Sequence, residues 1–255
     1  MLEAYLREQL KNRDILLMTH IVIGYPSLKA SFEIVQAMVE AGVDLVELQI
    51  PFSEPIADGP VILKANQEAL ATGISVEECL DFGERVATQF NIPFLFMTYY
   101  NILYQYGVER FAQTTAAKGL RGAIVPDLPP EEGGDYLQAM EENGLAPIFI
   151  YAPTTTDSRM QMVAGHARGV VYCVARKGVT GQDTDFSHDL DNYLRRCRKA
   201  TDLPLAVGFG VKDRADVDFL NGKADIAVIG TQTIRLVEEQ GVAAVGDFIR
   251  GLRAP

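Results

Sequence analysis

From Ile15 onward, short apolar runs rich in β-branched residues alternate with longer stretches whose apolar residues recur at helical spacing. This is the pattern of βαβ units wound around a parallel sheet. The apolar runs fall at 15–23, 45–50, 94–98, 122–125, 147–151, 169–174, 205–208 and 226–230. An open doubly wound sheet shows the same alternation, but about eight strands at regular spacing are what closes a (β/α)8 barrel. The expected fold is therefore α/β, a single TIM-barrel domain over residues 1–255, with an extra N-terminal helix on which Leu2, Leu6 and Leu10 share a face.

The stretches between the strands read as helices. After Ser27, a good N-cap, residues Leu28, Phe32, Val35 and Val39 fall on one face, and Gly42 supplies the stop. Further helices are expected near 63–71, 76–88, 108–117, 131–142, 158–166, 188–199, 213–221 and 242–252. No Gly/Ser linker or low-complexity tract divides the chain. In such a barrel the chemistry belongs at the C-terminal ends of the strands and in the loops that follow them.

Composition narrows the partners. Thirty-four acidic residues against 23 Lys and Arg give a net charge of −11, the wrong sign for a phosphate-backbone binder. The three cysteines, Cys79, Cys173 and Cys197, show no metal-ligand spacing and fit free thiols in a reducing compartment. The mixed charges of the N-terminus do not read as a signal peptide, and the run 15–23 is too short to span a bilayer. No nucleic acid, membrane or metal is expected, and the cytoplasm is the expected location.

Two carboxylates break the apolar pattern. In "VDLVELQIP", strand alternation puts Val43, Leu45, Glu47 and Gln49 on one face and Val46, Leu48 and Ile50 on the other. A buried Glu47 is either tied to a Lys or Arg on a neighbouring strand or functional, because an unpaired buried charge costs several kcal/mol or more. Eleven residues on, Asp58 ends a loop stiffened by Pro51, Pro55 and Pro60. Alone it would be an Asp-Gly turn residue. Together the two resemble a pair of carboxylates in different settings, which is how acid and base roles are divided.

The glycines cluster late. "GFG" at 208–210 and "IGT" at 229–231 follow the seventh and eighth strands, where barrels of this type bind phosphate through backbone amides and a helix N-terminus. An acidic protein can hold a phosphate this way without a basic patch. The polar loop 175–187, carrying "GVTG" at 178–181, suits a lid. His20 reads as a satisfied core histidine, and the strand "FLFMTYYN" ends in residues able to line a flat apolar pocket.

Taken in order, "GYP" at 24–26, "ELQIPFSEPIADGP" at 47–60, "MTYYN" at 97–101, "VPDLPPEE" at 125–132, "APTTTDSR" at 152–159, "GVTG" and "GFG" resemble the tryptophan synthase alpha subunit family over essentially the whole chain. The resemblance implies retro-aldol cleavage of indole-3-glycerol phosphate to indole and glyceraldehyde 3-phosphate. It implies no cofactor in this chain and a β-subunit partner, in an α2β2 assembly, that carries pyridoxal phosphate and joins indole to L-serine. It also implies Glu47 as the proton shuttle and Asp58 as the partner of the ring N–H. Thr180 of the lid would hydrogen-bond Asp58, and Tyr172 would line the pocket. Gly181, Gly210, Gly230 and Thr231 would bind the phosphate, while Met97, Asp127 and Ile150 match pocket or subunit-facing positions.

Four positions depart from that family pattern. Gln49 stands where glycine is usual, so that its amide either touches the catalytic carboxylate or crowds the pocket. Glu54 replaces the commoner Asp on the loop expected to face β, His20 an apolar or aromatic residue, and Thr231 the usual Ser. The alternatives these leave are a stand-alone lyase that releases indole and a silent subunit that only activates β.

Overall fold

The computed structural model describes residues 1–175, 183–208 and 210–253. Eight parallel strands close a barrel in sequential order, as the alternation predicts. They are β1 (Leu16–Val22), β2 (Leu45–Gln49), β3 (Phe94–Met97), β4 (Gly122–Ile124), β5 (Ala146–Tyr151), β6 (Val171–Val174), β7 (Leu205–Gly208) and β8 (Ile226–Ile229). Each lies within a residue or two of its apolar run, because a strand covered on both faces is apolar throughout and shows its length directly.

Strand parity sorts the side chains into two layers. Leu16 and Met18 of β1, Leu45 of β2, Leu95 and Met97 of β3, and Ile226 and Val228 of β8 fill the barrel interior. Leu17, Val46, Leu48, Phe94 and Phe96 point outward and pack under the helices. Leu45, Glu47 and Gln49 thus share the inner face, as alternation requires, whereas Val43 precedes β2 and joins the outer layer. Leu2 and Leu6 of the helix Leu2–Gln9 pack into the interior cluster. Full burial of such a side chain contributes about 1.5–3 kcal/mol over exposure, so the N-terminal helix acts as a plug at the barrel floor.

That floor carries a charge cluster. Asp44 is fully buried, accepts from the backbone N–H of Leu17 at 2.7 Å, and is paired with both Arg13 and Arg253. Gly122 opens β4 where the sheet leaves no room for a side chain: a Cβ there would lie 2.3 Å from the carbonyl oxygen of Ala146.

The helices follow the expected spacing, with Ser27 and Ser75 accepting backbone N–H groups as N-caps and Glu78 completing a capping box with Ser75. Two helices, Tyr100–Tyr106 and Thr231–Gln240, were not expected from the pattern. Both begin directly at a strand exit, in segments read as pocket lining and phosphate loop. The segment expected to be helical from 131 divides into a 3-10 turn, Pro130–Glu132, and a helix, Gly134–Glu142. Among the described residues, no helix is long and apolar enough to cross a membrane.

Candidate active site

The inward-facing residues at the C-terminal end of the barrel form one polar chamber. Glu47 lies opposite His20 in the β1–β2 register, and both are 4% exposed. His20 Nδ1 stands 3.0 Å from Glu47 Oε1. A carboxylate only accepts, so with Glu47 ionised the imidazole is the donor. The partner of the buried carboxylate does lie on a neighbouring strand, but it is a histidine rather than the Lys or Arg considered from the sequence. His20 is not a satisfied core histidine either: its Nε2 and Glu47 Oε2 are buried without a hydrogen-bond partner among the described residues.

Asp58 is delivered by the proline-stiffened loop and caught by two donors. Gln49 Nε2 donates to its Oδ2 at 2.6 Å and Tyr99 Oη donates to the same oxygen at 3.2 Å. The Tyr99 oxygen in turn accepts from Ala57 N–H at 3.1 Å, and its ring stacks on Phe52 with centroids 5.1 Å apart. The amide of Gln49 therefore reaches Asp58, not Glu47, and its oxygen is buried without a hydrogen-bond partner among the described residues.

The electrostatics follow from this packing. Burial would lower the His20 pKa, but the charge and hydrogen bond of Glu47, with smaller contributions from Asp58 and Gln49, outweigh it and hold it above the usual imidazole value. Burial raises the Asp58 carboxyl above the usual range; the bonds from Gln49 and Tyr99 and the charge of His20 oppose that rise without cancelling it. Tyr172 is pushed well above the ordinary phenol value by burial and then by the charges of Glu47 and Asp58. It therefore remains a neutral hydroxyl facing both carboxylates.

Beside these groups opens a cleft of about 330 Å³, lined by Tyr172, Gly208, Gly210, Gly230 and Thr231, with Ile62, Lys212 and Arg235 at its edge. Gly210 has φ +90°, a conformation that favours glycine. At Gly208 a Cβ would come within 3.1 Å of the Tyr172 hydroxyl, so its absence leaves room for that ring. The helix Thr231–Gln240 starts at the cleft with its N-terminal amides, the arrangement that binds anions.

Of the residues singled out in the sequence, Glu47, Asp58, Tyr172, Gly210, Gly230 and Thr231 converge here. Met97 is buried in the barrel interior, and Ile150 packs against that cluster from a half-buried position. Asp127 is exposed and accepts the backbone N–H of Tyr100 at 2.9 Å, tying two loops together. Thr180, Gly181 and most of the expected lid lie outside the described residues. His20 and Tyr99 were not assigned their roles from the sequence; the β1–β2 register would have placed His20 against Glu47. Among the described residues, no group of three or more His, Cys, Asp or Glu could hold a metal ion.

A closed parallel barrel with one buried and one half-buried carboxylate beside an anion cleft defines an acid–base enzyme of the phosphate-binding TIM-barrel class. The family model of the tryptophan synthase alpha chain matches residues 6–248. A tryptophan synthase alpha chain from Syntrophotalea carbinolica is 68% identical over 253 residues, 99% of this chain and all of the relative. Another from Desulforapulum autotrophicum is 63% identical over 252 residues, again 99% of this chain and all of the relative. A solved structure of tryptophan synthase from M. tuberculosis superposes with a TM-score of 0.89 at 31% identity, over 98% of this chain and 97% of that one. The chain belongs to the tryptophan synthase alpha chain family, and it is a carbon–carbon lyase of that type.

Proposed function

We propose that this barrel cleaves indole-3-glycerol phosphate by the retro-aldol route, with Glu47 and Asp58 carrying the chemistry. The observation that supports it best is a buried and a half-buried carboxylate, separately held, beside a glycine-lined anion cleft. Glu47 Oε2, without a hydrogen-bond partner among the described residues, takes the proton from the hydroxyl next to the ring and supplies one to the ring carbon. The carbon–carbon bond then breaks, its electrons return to the indole, and the arm leaves as the aldehyde. Asp58 accepts from the ring N–H and stabilises the positive charge that develops there.

Tyr172 closes one wall of the pocket, Gly181, Gly210, Gly230 and Thr231 are assigned to the phosphate through backbone amides and one hydroxyl, and Thr180 is assigned to the lid as a partner of Asp58. Met97 and Ile150 support the apolar side of the pocket. A proton shuttle, an acceptor for the ring N–H and a phosphate cradle meet the needs of this cleavage, so the reading calls for no cofactor on this chain. The whole span 1–255 is taken as one domain working in the cytoplasm.

The family places a β subunit beside this chain, and pyridoxal phosphate belongs to that partner, which converts indole and L-serine to L-tryptophan. Ile56, 81% exposed on the Asp58 loop, and Tyr104, 66% exposed, lie on the strand-exit side of the barrel, where such a partner would sit. Indole release measured with and without the cognate β chain tests the coupling. Acceleration by β supports it; strong release that β leaves unchanged identifies a stand-alone lyase instead.

A further inference from the structure

His20 and Glu47 are adjacent across β1 and β2, both face the barrel interior, and both are almost wholly removed from solvent. The carboxylate has two oxygens, and the imidazole occupies one of them: Oε1 receives Nδ1 at 3.0 Å while Oε2 has no partner among the described residues. The backbone of His20 is fixed from the other side, since its carbonyl accepts from Thr233 Oγ1 of the helix Thr231–Gln240 at 3.3 Å. Its Cβ stands 3.7 Å from where a Cβ on Gly230 would be. His20 therefore sits between the phosphate cradle and the reacting carboxylate, and no step of the proposed cleavage assigns it a part.

We infer that His20 is a positioning residue for Glu47: its Nδ1–H holds Oε1, fixes the carboxyl plane, and presents Oε2 alone to the substrate. This rests on the retro-aldol reading and deepens it. When Glu47 is ionised the Nδ1–H bond stabilises the carboxylate. When Glu47 carries the proton on Oε2, Oε1 becomes its carbonyl oxygen and still accepts from Nδ1–H. The same bond therefore survives both halves of the proton shuttle, and the carboxyl need not rotate between taking and giving the proton.

The titratable groups facing His20 are Glu47 from β2 and Asp58 from the loop after it. The helix Thr231–Gln240 contributes the hydroxyl of Thr233, and β8 ends at Gly230 beside it. A neutral substitute that keeps a donor near Nδ1 separates positioning from charge. Indole release by the full chain with its β partner bound is measured over a range of substrate concentration for the wild type, His20→Asn and His20→Leu.

His20→Leu is expected to lower kcat about tenfold to a hundredfold, the range for losing a hydrogen bond to a charged group, with KM changed less than about threefold. His20→Asn should recover most of kcat. If His20→Leu keeps the wild-type kcat, or if Asn rescues nothing, the inference fails.

A second measurement is independent of turnover. The chain has three histidines, and the imidazole signal lost in His20→Asn identifies His20 by NMR. It should titrate above the ordinary value in the wild type and lower in Glu47→Gln, which removes the largest of the contributions that oppose burial. Equal titration in both overturns the pairing. A wild type that makes no indole overturns the retro-aldol reading, while this titration still decides the pairing.

Discussion

The amide of Gln49 donates to Asp58 across the mouth of the barrel at 2.6 Å, so a strand residue of β2 holds the carboxylate delivered by the loop that β2 itself leads into. With Tyr99 on the same oxygen, Asp58 is set in place by residues fixed in the barrel wall. A hydrogen bond to a charged group is worth about 1.5–3 kcal/mol.

Gln49→Leu removes that donor while keeping much of the volume. Indole production should fall about tenfold to a hundredfold, from the 1.36 kcal/mol that corresponds to each factor of ten. Because the Gln49 bond pulls the Asp58 carboxyl down against burial, its loss should also move the acid limb of kcat/KM to higher pH. A profile unchanged in height and position would show that the bond is idle.

Tyr99→Phe keeps the ring stacked on Phe52 and removes the hydroxyl that bridges Ala57 N–H and Asp58. Urea unfolding should show a loss of about 1 kcal/mol, the usual net value of such a bond. Activity should fall less than for Gln49→Leu, since Asp58 retains its closer donor. A larger activity loss than Gln49→Leu would reverse the order of importance of the two anchors.

Asp58→Asn should abolish most indole production yet stabilise the fold at neutral pH. The sign follows from the raised pKa of Asp58: the folded state binds this proton more tightly than the unfolded chain, so stability falls as pH rises from the ordinary carboxylate value through the raised one. A neutral amide escapes that loss. Thermal unfolding at pH 7 and at pH 4 should show the advantage of Asn at the higher pH only.

His20 has linkage of the same sign, in a higher pH window. Its folded pKa is raised, so its contribution to stability is fully present below the ordinary imidazole value of about 6.5 and is lost as pH rises through the folded value. Chemical denaturation of wild type and His20→Leu should therefore give a wider gap at pH 6 than at pH 9. A gap that widens towards pH 9 would contradict the ion pair.

Gly122→Ala tests the barrel wall rather than the site. Its Cβ would meet the Ala146 carbonyl oxygen, a backbone atom of the adjacent strand, at 2.3 Å. Forcing the two strands apart should cost about 1–3 kcal/mol or more, read as a lower unfolding midpoint with the Glu47 and Asp58 surroundings unaltered.

Much of this barrel can be read from the chain because its strands are buried on both faces and so announce their lengths as apolar runs. The β2 parity likewise places Glu47 and Gln49 inside. The two unexpected helices, Tyr100–Tyr106 and Thr231–Gln240, escaped because each starts at a strand exit without an N-cap side-chain hydrogen bond. The roles of His20 and Tyr99 escaped for a different reason. Hydrophobic periodicity fixes the face a residue occupies but not which residue of the next strand lies opposite, and it is the offset of β1 against β2 that sets His20 beside Glu47. Asp58 could be read as a loop carboxylate, but the three-residue network around its Oδ2 depends on a loop path that no local pattern encodes.

The carboxylate network draws on β1 for His20, on β2 and its loop for Glu47, Gln49 and Asp58, and on the exit of β3 for Tyr99. For anyone wishing to transplant this chemistry into another barrel, the smallest portable piece is thus three consecutive strands with their connections. The stretch from Val46 to Pro60 on its own would carry both acids into a host that could aim neither.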